Sequence, residues 1–135
     1  MDEVRRARYY DKMQYITENL QDCSVLVHRS GKYDEKALYY SLMTAIESAM
    51  DVMAMMLKDS GLVPKGDKYN IDRLAEKGII SSELAAELVL SNNLRNILAH
   101  RYNGIDRLLV LRSFERVDSA LQSLVKIVEG WLVGH

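Results

Sequence analysis

Apolar residues recur along this chain at alternating steps of four and three, the spacing of helices that each bury one face. Tyr9, Met13, Ile16, Leu20, Cys23 and Val27 form the first stripe and predict a long helix over roughly residues 3–28. Ser30, Gly31 and Lys32 break it. A second helix is expected from about Asp34, read as its N-cap, to Asp59, with Gly61 and Pro64 closing it. The polar stretch 62–70 predicts a loop, and Ile71 to Lys77 a short helix with Gly78 at its C-terminal cap. Ser81 or Ser82 caps the next helix, which carries Leu84, Leu88 and Leu94. Asn103-Gly104 marks a turn. Phe114, Val117, Leu121, Leu124, Val128 and Leu132 then repeat the pattern to near Gly134. Nothing reads as a strand pair or an internal repeat. The expectation is one all-α domain over residues 1–135, an antiparallel bundle of four main helices plus one short helix.

The second helix departs from the pattern. Between Ala37 and Leu57 it is apolar on most sides, and its exceptions are Ser41, Thr44, Glu47, Ser48 and Asp51. At about 100° per residue these fall within one arc of roughly 120°. Such a helix is either the central one of the bundle or is also covered by a second subunit. Its methionines suit an adaptable contact. Glu47 and Asp51, four apart, repel each other unless a cation intervenes. The arc is either a solvated stripe or the wall of a polar cavity in which Arg95 or His100 supplies the opposite charge.

Composition narrows the classes. The chain has 135 residues, one proline and a formal net charge of −1. This fits one compact, helix-favouring core and excludes a broad polycationic surface. Any nucleic-acid contact must come from a local cluster. Arg95, Arg101, Arg107, Arg112 and Arg116, set against Asp106 and Glu115, provide one. No helix carries a basic reading face, which disfavours sequence-specific DNA binding. Cys23 is alone, so an intrachain disulfide and a cysteine-based zinc site are both out of reach. Few interior histidines likewise disfavour a metal enzyme, and no cofactor is expected. No stretch is apolar and long enough to span a bilayer, and the N-terminus lacks the apolar run of a signal peptide. The expected compartment is a reducing cytoplasm.

Candidate chemistry concentrates between Arg95 and Tyr102. Arginine holds phosphate or carboxylate through a planar fork, and histidine exchanges protons near neutral pH. On a continuous helix, Arg95 and Tyr102 share a face, while Asn92, Asn96 and His100 make a second line about 100–140° away. Arg95 and His100 then converge on one ligand only if the helix breaks between them or a second copy completes the site. The plainer reading is a surface ion pair and a histidine at a helix terminus.

The order Arg95-Asn96-x-x-x-His100-x-Tyr102 resembles the signature of the HEPN superfamily, and more closely that of HepT-like toxins of prokaryotic toxin–antitoxin pairs. Ala45–Asp51 resembles that family's second helix, Leu74–Ile80 the helix and turn before the motif, and Asn103–Asp106 the stretch after it. The resemblance implies a four- or five-helix bundle, usually a homodimer with two motifs facing one cleft. It implies a metal-independent endoribonuclease, the toxin of a type VII-like pair. Arg95 and His100 would be catalytic, with Asn96, Glu47 and Asp51 in support. The implied partner is a minimal nucleotidyltransferase of the MntA type, which silences such toxins by attaching AMP to the motif tyrosine, here Tyr102. The alternatives are a non-catalytic helical adaptor that binds a nucleotide or such a partner, and a structural dimer without a ligand.

Overall fold

The computed structural model describes residues 1–100 and 104–135. Among these there are five helices and no strand: α1 (Glu3–Leu26), α2 (Lys32–Asp59), α3 (Asp67–Glu76), α4 (Ser82–His100) and α5 (Arg107–Val133). The all-α architecture read from the periodicity is therefore present, with four long helices and one short one.

Local chemistry fixes the helix ends. Asp2 caps α1, its carboxylate accepting from Arg5 N at 2.7 Å. Helix α2 begins two residues before the expected Asp34. Gly31 is its N-cap, and Asp34, in the first turn, reaches back to accept from Gly31 N at 3.2 Å. At its other end Gly61 takes φ +81°, while Gly61 N and Leu62 N donate to the carbonyls of Lys58 and Leu57. That pair of bonds is a Schellman cap, and it needs the left-handed conformation glycine adopts without strain. Gly78 ends α3 in the same way. Helix α3 starts at Asp67, four residues earlier than its apolar pattern indicated. The buried Asn70 amide accounts for the difference, because it bonds both Lys65 N and Lys65 O and turns a polar stretch into ordered structure. Ser81 rather than Ser82 caps α4, accepting from Leu84 N at 3.1 Å, and Asp106 caps α5.

Helix α2 is central and packs against each of the other four. It runs antiparallel to α1. Cys23 lies against Leu38, Asn19 against Thr44, Lys12 against Asp51 and Tyr9 against Asp59, so the numbering falls on α2 as it rises on α1. Leu42, Ile46, Met53 and Leu57 are fully enclosed. They meet Ile16 and Leu20 of α1, Leu88 of α4, and Leu121, Leu124 and Val128 of α5 in one core. Burial pushes the Cys23 thiol up to about 12, so it packs as a small neutral hydrophobe.

One polar knot ties the start of α1 to the end of α2. Tyr9 is buried and donates its hydroxyl to Asp59 Oδ2 at 2.6 Å, and Arg5 Nε donates to the same oxygen at 2.9 Å. Burial alone would raise the Asp59 carboxyl. The hydrogen bonds from Tyr9 and Arg5 outweigh it and hold the group below its ordinary value. A carboxyl depressed in the folded state stabilises above its unfolded pKa, and that contribution is lost as pH falls through the folded value. Asp59→Asn is therefore expected to lower stability at neutral pH and to flatten the acid limb of a urea-denaturation pH series below about pH 4.

Candidate active site

Arg95, Asn96 and His100 lie on the last turns of α4, and α2 determines where the arginine points. Arg95 Nε donates to Glu47 Oε1 at 3.1 Å, and Nη2 lies 3.0 Å from the same oxygen. Both side chains are partly exposed, 28% for Arg95 and 37% for Glu47. The third nitrogen, Nη1, donates to Asn96 Oδ1 at 3.0 Å. The guanidinium is thus held on two sides, by a carboxylate and by the next residue's amide. Of the two partners considered for the acidic arc, Arg95 is the one that meets it. An ion pair this exposed adds only about 0.2–1 kcal/mol to stability. Its main effect is to fix the direction of the fork.

The other expected site residues separate. Asp51 was expected beside Arg95 or His100. Instead it pairs with Lys12 of α1 at 3.0 Å, because the turn that carries it faces α1 rather than α4. His100 is the final residue of α4 and is exposed. Helix α4 runs without interruption through both Arg95 and His100, so no break brings them together within one chain. They point about 140° apart around the axis. Tyr102 and Arg101 lie outside the described residues, as does Asn103 of the expected turn.

The polar arc of α2 is also divided. Ser41, Thr44 and Ser48 are buried, and Thr44 Oγ1 bonds Asn19 Oδ1 and Tyr40 O. Only Glu47 and Asp51 reach the surface. The arginine cluster is largely neutralised by acids from elsewhere in the chain. Arg107 pairs with Glu35 at 2.8 Å, and Arg116 with Glu87 at 2.6 Å. Arg112 lines a groove of about 360 Å³ between α4 and α5, beside Leu90, Asn93, Ile97 and Leu109.

Two features were not read from the sequence, which placed Asn92 only on a line with Asn96 and His100. Asn92, one turn before Asn96, is buried with Oδ1 lacking a hydrogen-bond donor among the described residues, a cost of about 1–3 kcal/mol. The second is a surface groove between α1 and α2 that reaches Glu47 and includes Lys12, Tyr15 and Tyr40. Its signal in the sequence is a set of polar and aromatic residues spaced by three and four on the outer side of α1.

The bundle thus carries a clamped arginine and a helix-terminal histidine on one helix, and comparisons with known proteins give the family. A family model described as Ribonuclease HepT-like matches residues 7–128. The chain belongs to the HepT-like ribonuclease family. It is 43% identical over 126 residues to a protein of Archaeoglobus fulgidus provisionally named as an RNase, covering 93% of this chain and 94% of that one. Its fold is similar to that of a tri-AMPylated HEPN toxin of Shewanella oneidensis in complex with an MNT antitoxin. There the TM-score is 0.84 at 14% identity, over 96% of this chain and 99% of that one. A toxin–antitoxin MntA–HepT crystal structure gives 0.83 at 14% identity, over 92% and 98% of the two chains.

If the Glu47–Arg95 contact is positional, a double-mutant cycle on Glu47→Gln and Arg95→Gln followed by urea denaturation will give a coupling of at most about 1 kcal/mol. A coupling of about 3 kcal/mol or more would mark a buried structural pair instead.

Proposed function

We propose that this protein is the toxin of a toxin–antitoxin pair and acts as a metal-independent endoribonuclease in homodimeric form. The observation that carries this reading is the placement of Arg95 and His100 on opposite sides of one unbroken helix, with Glu47 fixing the arginine. A second copy presenting its own α4 supplies the missing half of the site. The side of the molecule where α4 meets α5, on which Ile97 sits one turn before His100, supports that arrangement. Leu90 is 50% exposed, Leu108 and Leu109 on α5 are also exposed, and Ile97 is half-buried beside them. An apolar patch adjoining a polar site suits a self-association surface.

RNA brings its own nucleophile, the 2′-hydroxyl. Its oxygen attacks the adjacent phosphorus, the bond to the 5′-oxygen breaks, and a 2′,3′-cyclic phosphate and a 5′-hydroxyl result. His100 takes the 2′-proton or delivers one to the leaving oxygen. Arg95, pre-oriented by Glu47 and Asn96, binds the phosphate and stabilises its growing charge. Asn96 can also bond a phosphate oxygen.

The partner in this reading is a nucleotidyltransferase antitoxin. It would attach AMP to Tyr102, setting a phosphodiester anion against the arginine fork and blocking the cleft.

Purified protein is expected to cut single-stranded RNA in the presence of chelator and to leave cyclic-phosphate ends. His100→Ala and Arg95→Ala should each reduce the rate by about 10²-fold or more. Full activity in His100→Ala would refute the mechanism, and cleavage lost on chelation would refute metal independence. Co-expression with the nucleotidyltransferase should add the mass of AMP, and Tyr102→Phe should abolish that adduct.

A further inference from the structure

We propose that the groove between α1 and α2 is the path along which single-stranded RNA reaches the arginine, with Tyr15 and Tyr40 as stacking platforms for bases next to the scissile phosphate. The inference rests on the ribonuclease reading but concerns a different surface of the molecule.

The pairing of α1 with α2 sets the geometry. Asn19 bonds Thr44 and Lys12 bonds Asp51, so Tyr15, midway between them on α1, stands level with Glu47 on α2. Glu47 holds Arg95 from the α4 side. Tyr15 and Glu47 line the same groove of about 610 Å³, as do Tyr40 and Lys12. Tyr40 lies seven residues before Glu47 on the same face of α2, about 10 Å along the axis. Glu47 therefore links the groove, which it lines, to Arg95, which it bonds.

The side chains suit an unpaired strand. Tyr15 is 44% exposed and Tyr40 60% exposed, although each has core positions within a turn. Two open phenol rings flanking one groove cost hydrophobic free energy unless something covers them. Nucleobases stack on such rings whatever their identity, once they are free of a duplex. Arg8 and Lys12 line the far half of the groove and suit the following phosphates. Asp11, Glu47 and Asp51 also line it and outnumber these two cations, so the groove would hold a strand by stacking on its rings and not by its overall charge. A duplex, recognised mainly through its phosphates and 2′-hydroxyls, would gain little here. Asp51 restrains Lys12 at 3.0 Å and weakens its hold on any phosphate. Asp51 is therefore assigned to this groove and not to the chemistry at Arg95.

Binding of a labelled 2′-O-methyl oligoribonucleotide of about ten nucleotides separates this proposal from the nuclease reading, because the blocked 2′-oxygen prevents cleavage. Fluorescence anisotropy should show that Tyr15→Ala and Tyr40→Ala each weaken binding about tenfold. Tyr40→Phe, which keeps the ring, should bind like the parent. Asp51→Asn should bind several-fold tighter and with a steeper salt dependence, since Lys12 is released. The same strand in a duplex should bind more weakly. The proposal is overturned if the alanine variants bind as the parent does, if Tyr40→Phe is as weak as Tyr40→Ala, or if the parent does not bind. It is also overturned if these changes weaken only association with the nucleotidyltransferase. A parent that binds in this pattern but never cuts RNA would remove the nuclease reading and leave the groove. A parent that cuts RNA with an unchanged KM in both alanine variants would do the reverse.

Discussion

Burial of α2 on nearly every side is the constraint on which the rest of the molecule depends. Leu42, Ala45, Ile46, Ala49, Val52 and Met53 leave no face of this helix suited to water except the strip that carries Glu47 and Asp51. The other four helices must pack around it, and they do. Polar groups on its flank are either satisfied internally, as Thr44 is by Asn19 and Tyr40 O, or confined to that strip. Between Ala37 and Leu57 the strip is consequently the one place on the central helix from which a carboxylate acts on a neighbour, the other such acids, Glu35 and Asp59, lying at its two ends. Both of its acids do so, in opposite directions: Glu47 toward α4 and Asp51 toward α1.

Arg95 inherits its orientation from this arrangement. A long cationic side chain on a partly exposed helix face has many rotamers, and each lost one costs entropy. Glu47 and the Asn96 amide meet that cost before any ligand arrives, so the fork is pre-organised. The contact has modest energetic weight because both groups retain water. That is compatible with a catalytic role, since a phosphate can compete for a half-exposed guanidinium but not for one locked in a dry pair. His100, on the opposite side of the helix, has no such tether among the described residues.

Much of this was legible in the sequence. The three–four stripes gave α1 nearly to both ends and α5 nearly to its C-terminal end, because a single buried face produces a clean period, whereas α5 starts at Arg107, two turns before its first stripe residue, Phe114. The same reasoning marked α2 as either central or covered by a second subunit, because its period is blurred by burial all round, and packing against the other four helices makes it central. Helix starts were less legible. Asp34 looks like an N-cap but serves from the first turn, and Gly31, with no side chain to advertise it, occupies the cap. Asp67 to Asn70 reads as loop because its one tertiary anchor, the Asn70 amide clamping Lys65, is a long-range polar contact with no periodic signature. Within the site, spacing showed that Arg95 and His100 diverge, and it placed Glu47 and Asp51 on one arc. It did not show that a helix only slightly rotated sends the two acids to different neighbours. That depends on the register between helices, which periodicity does not encode. The family resemblance contributed what spacing lacked, a reason to expect an arginine and a histidine on opposite faces to belong together.

The central claim is that one catalytic centre takes Arg95 from one copy and His100 from another. Subunit mixing tests it. Arg95→Ala and His100→Ala proteins, each inactive alone, are combined under conditions that exchange subunits, and RNA cleavage is followed. In a mixed dimer, a shared centre regains one complete arginine–histidine set, so activity should return to a substantial fraction of the parent rate. If Arg95 and His100 of the same chain form the centre, every site in the mixture lacks one of them. Cleavage that stays at the level of the separate variants, with exchange verified by native mass spectrometry, would contradict the account.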